Sequence, residues 1–258
     1  MDWKRLVRVL AVVLMTGFVY IQGAGTQRND MQAFVVQNVS EETVALEEKT
    51  VLEEKSVSKE RFAWGAEPNQ EGRFDRWSVL GSCVRIQTDG HYGSGSIYEM
   101  TEDQIIIITN RHVLQYWDED SYVTFSNGVV CEGEIAKVSD AADVGLLRIQ
   151  LTELSEDEIK DLQTIKITDV IPEKGDYFFM IDMASDVWDK QLYEGQILES
   201  ELYIEEFDME MLYGEACFEP GMSGCGIFDM QGNYIGMLTG GTQQNEVAAV
   251  PAWSIFMK

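Results

Sequence analysis

Both histidines of this chain, His91 and His112, lie before the glycine-flanked serine of Gly221-Met222-Ser223-Gly224. That order restricts the fold more than any other feature. A serine in a tight glycine turn can present its hydroxyl as a nucleophile while neighbouring backbone N–H groups hold an oxyanion. The glycines permit positive φ and close approach of another chain. Such a hydroxyl needs an imidazole base. In a strand–turn–helix nucleophile elbow the histidine follows the serine. Here none does, so that architecture cannot supply the base, and the order His, Asp, Ser remains.

From about Asp75 onward the chain reads as short β-type runs. Val79–Ile86, Gly93–Tyr98, Gln104–Thr109, Tyr122–Phe125 and Val144–Ile149 form one set. A polar connector, Thr152 to Asp161, separates them from a second set. That set comprises Asp176–Ile181, Gln191–Ile197, Glu201–Ile204, Cys225–Phe228, Tyr234–Leu238 and Val247–Val250. Turn pairs such as Asp89-Gly90 and Asn127-Gly128 punctuate the runs. Many short strands with little helix predict an all-β chain of the sandwich or barrel class, here two barrels of about six strands each.

His112 follows a strand of four isoleucines, in Ile107-Ile-Thr-Asn-Arg-His-Val-Leu114. That puts the imidazole at a barrel rim, where function collects. Asp143 lies in Asp140-Ala-Ala-Asp-Val-Gly-Leu-Leu147 and abuts an apolar run that would bury it. A carboxylate there can accept from His Nδ1–H and fix the tautomer. Asp140 is the rival carboxylate.

The net charge of −26 repels phosphate backbones and excludes nucleic acid as a natural partner. Cys83, Cys131, Cys217 and Cys225 show no metal-binding spacing, so no zinc or other metal is expected. Residues 1–25 combine basic positions with the uncharged run Val9–Ile21, the pattern of an export signal or a membrane anchor. The run is shorter than the about 20 residues of a spanning helix, though Arg8 can snorkel. The anchor is preferred to a signal removed at Gly23-Ala-Gly25. Residues 26–74 form an acidic stalk, with Thr43–Lys49 nearly repeated in Thr50–Lys55, too poor in apolar surface to fold alone. The expected organisation is anchor 1–25, stalk 26–74 and a β domain 75–258. Within that domain, barrel 1 covers about 75–150 and barrel 2 about 160–258. The β domain is expected outside the cytoplasm, or secreted if the signal is cleaved.

These motifs resemble trypsin-fold serine peptidases, within them the HtrA-like branch. Gly93-Ser-Gly-Ser-Ile97 is similar to the family's Gly-Ser-Gly strand opening, and Thr109-Asn-Arg-His-Val113 to its Thr-Asn-x-His-Val. Asp143-Val-Gly-Leu-Leu147 resembles Asp-Leu-Ala-Val-Leu, Pro220-Gly-Met-Ser-Gly224 resembles Pro-Gly-Asn-Ser-Gly, and Val247-Ala-Ala-Val-Pro251 resembles Phe-Ala-Ile-Pro. The resemblance runs from about Ser78 to the C-terminus. It implies a double six-stranded β-barrel with the active site between the barrels. It implies a serine endopeptidase in which His112 is the base, Asp143 its orienting partner and Ser223 the nucleophile, with Gly221 and Ser223 N–H as the oxyanion hole. Protein or peptide substrates are implied, and no cofactor. By the same resemblance the primary specificity pocket has Cys217 at its floor and Leu238, Thr239 and Gly240 along its wall. With no aspartate at that floor, a small or medium apolar residue is expected there rather than Lys or Arg. A PDZ domain is not expected, because the chain ends at Lys258.

Three departures from the family pattern bear on the site. Met222 replaces an aspartate that pairs with a new N-terminus in zymogen activation, so no such activation is expected. Cys225 stands where a second glycine is usual, and Gly226 where proline is usual. An alternative reading is an anchored binding or sensing module with an inactive or gated peptidase fold. A lesser one makes Cys217 or Cys225 the nucleophile. The thiols could pair as Cys217–Cys225 and Cys83–Cys131, or remain free.

Overall fold

The four-isoleucine run Gln104–Thr109 becomes β3, and all four isoleucines are buried. Ile105 and Ile107 point into one apolar cluster, while Ile108 points into another. A strand apolar at successive positions must be covered on both faces, and the rest of the fold supplies that cover. The computed structural model describes residues 74–183 and 190–256. The expected anchor and nearly all of the expected stalk lie outside the described residues. Among the described residues no helix is long and apolar enough to cross a membrane.

The first sheet contains β1 (Cys83–Thr88), β2 (His91–Met100), β3, β4 (Tyr122–Phe125), β5 (Val130–Cys131), β6 (Glu134–Val138) and β7 (Gly145–Gln150). Their order is β5-β4-β1-β2-β3-β7-β6, every pair antiparallel. This sheet curls into a half-barrel around Val84, Ile86, Ile97, Ile107, Phe125 and Leu147. The second sheet contains β8 (Lys166–Ile167), β9 (Tyr177–Asp182), β10 (Gln191–Ile204), β11 (Met209–Ala216), β12 (Gly226–Asp229), β13 (Asn233–Gly241) and β14 (Glu246–Pro251). The six strands β12-β9-β10-β11-β14-β13 close on themselves through the β12–β13 pairing, and β8 adds to β13 in parallel. The expected all-β, double-barrel class therefore holds, with one barrel closed and the other open.

The two sheets share a core. Cys83 and Ile108 of the first sheet lie in one buried cluster with Phe179, Ile181, Phe228, Tyr234 and Met237 of the second. That cluster joins the two sheets.

Local differences from the sequence reading have local causes. Val79–Ser82 is not strand. It belongs to a 3-10 turn, Arg76–Ser82, because Asp75 accepts from Trp77 N–H at its start and Ser82 Oγ donates to the Val79 carbonyl at its end. The runs Gln191–Ile197 and Glu201–Ile204 are one strand, β10, carried through the polar interval by bulges against β11. The polar connector holds a short helix, α2 (Glu156–Ile159), closed by a capping box between Ser155 and Glu158.

Candidate active site

The β3–β7 register assembles the first half of the site. Ile105 pairs with Ile149, Ile107 with Leu147, and Thr109 with Gly145. Thr109 ends β3, and the chain turns directly into a one-turn helix, α1 (Arg111–Leu114). Asp143 lies two residues before Gly145. The pairing that buries the isoleucines thus brings His112 and Asp143 side by side.

They are joined at two points. His112 N–H donates to Asp143 Oδ1 at 3.0 Å, and His112 Nδ1 lies 2.7 Å from Oδ2. The carboxylate side chain is 9% exposed and the imidazole 36%. A carboxylate only accepts, so Nδ1 carries a proton and Nε2 is the ring nitrogen left to exchange one. Asp140 is exposed and makes no bond to the ring.

The second half is the loop between β11 and β12. Met222 N–H donates to the Glu219 carbonyl at 3.2 Å, closing a turn with Pro220 second and Gly221 third, at φ 93°. Cys225 N–H donates to the Met222 carbonyl at 2.8 Å, closing another with Ser223 second and Gly224 third, at φ 88°. Positive φ at the third position is the requirement of a type II turn, and proline suits the second position of the first one. Two such turns in series place Ser223 on a half-buried corner. Among the described residues, neither the Gly221 nor the Ser223 N–H has an acceptor, and the Ser223 hydroxyl has no hydrogen bond.

The halves meet through buried polar contacts. Ser94 N–H donates to the Ser223 carbonyl at 2.8 Å, and Thr109 Oγ1 donates to the Ser94 carbonyl at 2.7 Å. Asn110, fully buried as the residue before α1, donates through Nδ2 to the Asp143 carbonyl at 3.1 Å and to Thr239 Oγ1 at 3.2 Å. These bonds tie the segments that carry His112 and Asp143 to the second sheet and, through Ser94, to the Ser223 loop. Sequence reasoning gave no role to Ser94, Thr109 or Asn110. Their signal was present in the two motifs that carry them.

Residues 81–237 match the family model described as a trypsin-like peptidase domain. This chain belongs to that family. Among solved structures, the trypsin-like peptidase domain is similar to the inactive form of a serine-to-alanine mutant of Rv3671c from M. tuberculosis H37Rv. That similarity has a TM-score of 0.55 and 15% identity, over 69% of this chain and 84% of the other. It concerns the fold. No curated protein matches the chain in sequence. The family gives this peptidase domain a function of the peptidase type, with protein substrates.

The departures in the loop resolve structurally. Met222 is buried in the closed barrel with Phe178, Met180, Ala216 and Leu238, and its Sδ accepts from Glu219 N–H at 3.2 Å. Cys225 is buried too, and its thiol donates to the Ile181 carbonyl at 3.2 Å, so its bulk is lodged in the barrel wall. Burial pushes the Cys225 thiol well above the ordinary range, and it pushes Cys83 up to about 12. Neither is a thiolate at neutral pH. None of the four cysteines forms a disulfide. Of the positions expected to form the pocket, Cys217 is half-buried, and Leu238, Thr239 and Gly240 are buried. Leu238 serves the loop through its backbone, accepting from Gly224 N–H at 2.8 Å and donating to the Cys225 carbonyl at 2.9 Å. Among the described residues no cluster of His, Cys, Asp or Glu could hold a metal.

Proposed function

We propose that this protein is a serine endopeptidase of the HtrA-like type, working through His112, Asp143 and Ser223. The observation that carries the reading is the doubly bonded His112–Asp143 pair, on a segment joined through Thr109 and Ser94 to the loop that carries Ser223. The Ser223 hydroxyl attacks a peptide carbonyl and gives its proton to His112 Nε2. The tetrahedral oxyanion takes the free N–H groups of Gly221 and Ser223. His112 then passes the proton to the leaving amine, and the acyl-enzyme is hydrolysed by water that His112 activates in turn. Asp143 holds the ring and stabilises the imidazolium without itself taking the proton. Cys217, Leu238, Thr239 and Gly240 border the substrate's primary side chain, for which a small or medium apolar residue is preferred.

The N-terminal segment is proposed as the membrane attachment, with the peptidase domain outside the cytoplasm. Digestion of casein by the full chain, beside a Ser223→Ala chain, tests the activity. Cleavage that depends on Ser223 supports it. Equal cleavage by both chains refutes it. The gated-module alternative has less support, because the Gly221 and Ser223 N–H groups are already without acceptors in this conformation.

A further inference from the structure

Ser94 touches the nucleophile loop at three consecutive places. Its N–H donates to the Ser223 carbonyl at 2.8 Å. Its hydroxyl donates to the Gly221 carbonyl at 3.1 Å. Its own carbonyl, with Thr109 Oγ1, occupies the space that a Cβ on Gly224 would need. Ser94 is fully buried on β2, in the other sheet. A buried hydroxyl has to find a partner, and this one's partner is the carbonyl of the residue whose N–H forms half of the oxyanion hole.

The Gly221 carbonyl belongs to the peptide that follows Gly221. Holding it fixes ψ of a glycine that otherwise has wide freedom. Met222 N–H belongs to the same peptide and is tied to the Glu219 carbonyl, so this plane is held at both edges. The held plane lies between the peptide that carries the Gly221 N–H and the peptide that carries the Ser223 N–H, and on the far side the ring of Pro220 locks its own φ. Preorganised donors act on the transition state because they need no reorientation when charge develops.

We infer that Ser94 is a positioning residue for the oxyanion hole: its hydroxyl clamps the Gly221 carbonyl from the opposite barrel and keeps the Gly221 and Ser223 N–H groups aimed together. This rests on the serine peptidase reading, which it deepens. The Ser94 backbone bond to Ser223 is untouched by side-chain substitution, so the hydroxyl can be tested alone.

The test uses the full chain and its Ser94→Ala and Ser94→Cys variants, with a peptide ester identified by screening wild type and with a fluorophosphonate probe. Ser94→Ala should lose about tenfold in kcat, the rate equivalent of one hydrogen bond, with KM unchanged. The pH at which the rate rises should not move, because the His112–Asp143 pair is intact. Ser94→Cys, a near-isostere with a weak donor, should recover part of the loss. Probe labelling should slow in parallel. A Ser94→Ala enzyme with wild-type kcat, or one that loses KM and kcat together with the midpoint of the pH profile, overturns the clamp. An inert wild-type chain overturns the peptidase reading instead. The clamp is then read from the Gly221 carbonyl carbon resonance, which moves upfield in Ser94→Ala if the bond exists and stays in place if it does not.

Discussion

His112 and Asp143 share two hydrogen bonds, one from backbone N–H to Oδ1 at 3.0 Å and one from ring Nδ1 to Oδ2 at 2.7 Å. The first fixes where the carboxylate sits, and the second fixes which ring nitrogen is protonated. Asp143→Asn separates the two. The amide oxygen can still accept from the backbone, but the amide nitrogen then faces Nδ1 as a donor. The ring is driven to the tautomer that protonates Nε2, which can no longer accept from Ser223. A fall in kcat of about 10⁴-fold is expected, the size seen for this change in another triad enzyme, with the melting temperature little altered. Steady-state kinetics beside thermal denaturation checks it.

Gly224 has positive φ at 88°, and the space for its Cβ is filled by the Ser94 carbonyl and Thr109 Oγ1. Alanine there meets a conformational cost of about 1–2 kcal/mol and a backbone overlap as well. Gly224→Ala should therefore cost more than about 2 kcal/mol in stability and abolish activity, because the loop cannot dock on β2. Urea unfolding and an activity assay on the folded fraction test this.

Cys225 faces the barrel wall and away from the cleft, with its thiol on the Ile181 carbonyl. Cys225→Ala is expected to cost about 1 kcal/mol in stability while leaving the rate of Ser223 labelling unchanged. Loss of activity in this variant would revive the cysteine as a participant.

Alkaline pH should weaken the fold. Burial raises Cys83 from 9.0 to about 12. It also raises Tyr193 from 10.0 to about 12, with further increments from the charges of Glu219, Asp182 and Cys217. Both groups are neutral in the folded chain when the unfolded chain has begun to lose their protons. The unfolded state then binds fewer protons, and stability falls as pH rises. Their contribution is complete below about pH 9 and is lost progressively up to about pH 12. Urea midpoints measured from pH 8 to 11 should decline, and Cys83→Ser should decline less steeply over the lower part of that range.

The fold was legible where burial writes itself into the sequence. The isoleucines of β3 and the alternation of β7 marked buried strands, and the turn pairs marked their ends. β6 was not legible: four of its five residues are exposed, so it has no apolar face to betray it. Nor was β11, where Met209, Met211 and Leu212 give no clean alternation. The 3-10 turn before β1 reads as strand because Val79 and Leu80 are apolar, and only the side-chain bond of Asp75 breaks the tie. At the site, the sequence carried the residue types and their order. It could not carry the contacts between distant positions. Asn110 and Thr239 are 129 positions apart, and Ser94 and Gly221 are 127. Those cross-barrel bonds arise only once both sheets have folded, which is why their residues read as motif filler.

The central claim is that Ser223 is a nucleophile activated by His112. Fluorophosphonate labelling of the full chain, located by peptide mass mapping, tests it most directly. The expected result is one adduct on Ser223, absent from His112→Ala and slowed in Asp143→Asn. Labelling elsewhere in the chain, or labelling of Ser223 that proceeds equally well without His112, would contradict it.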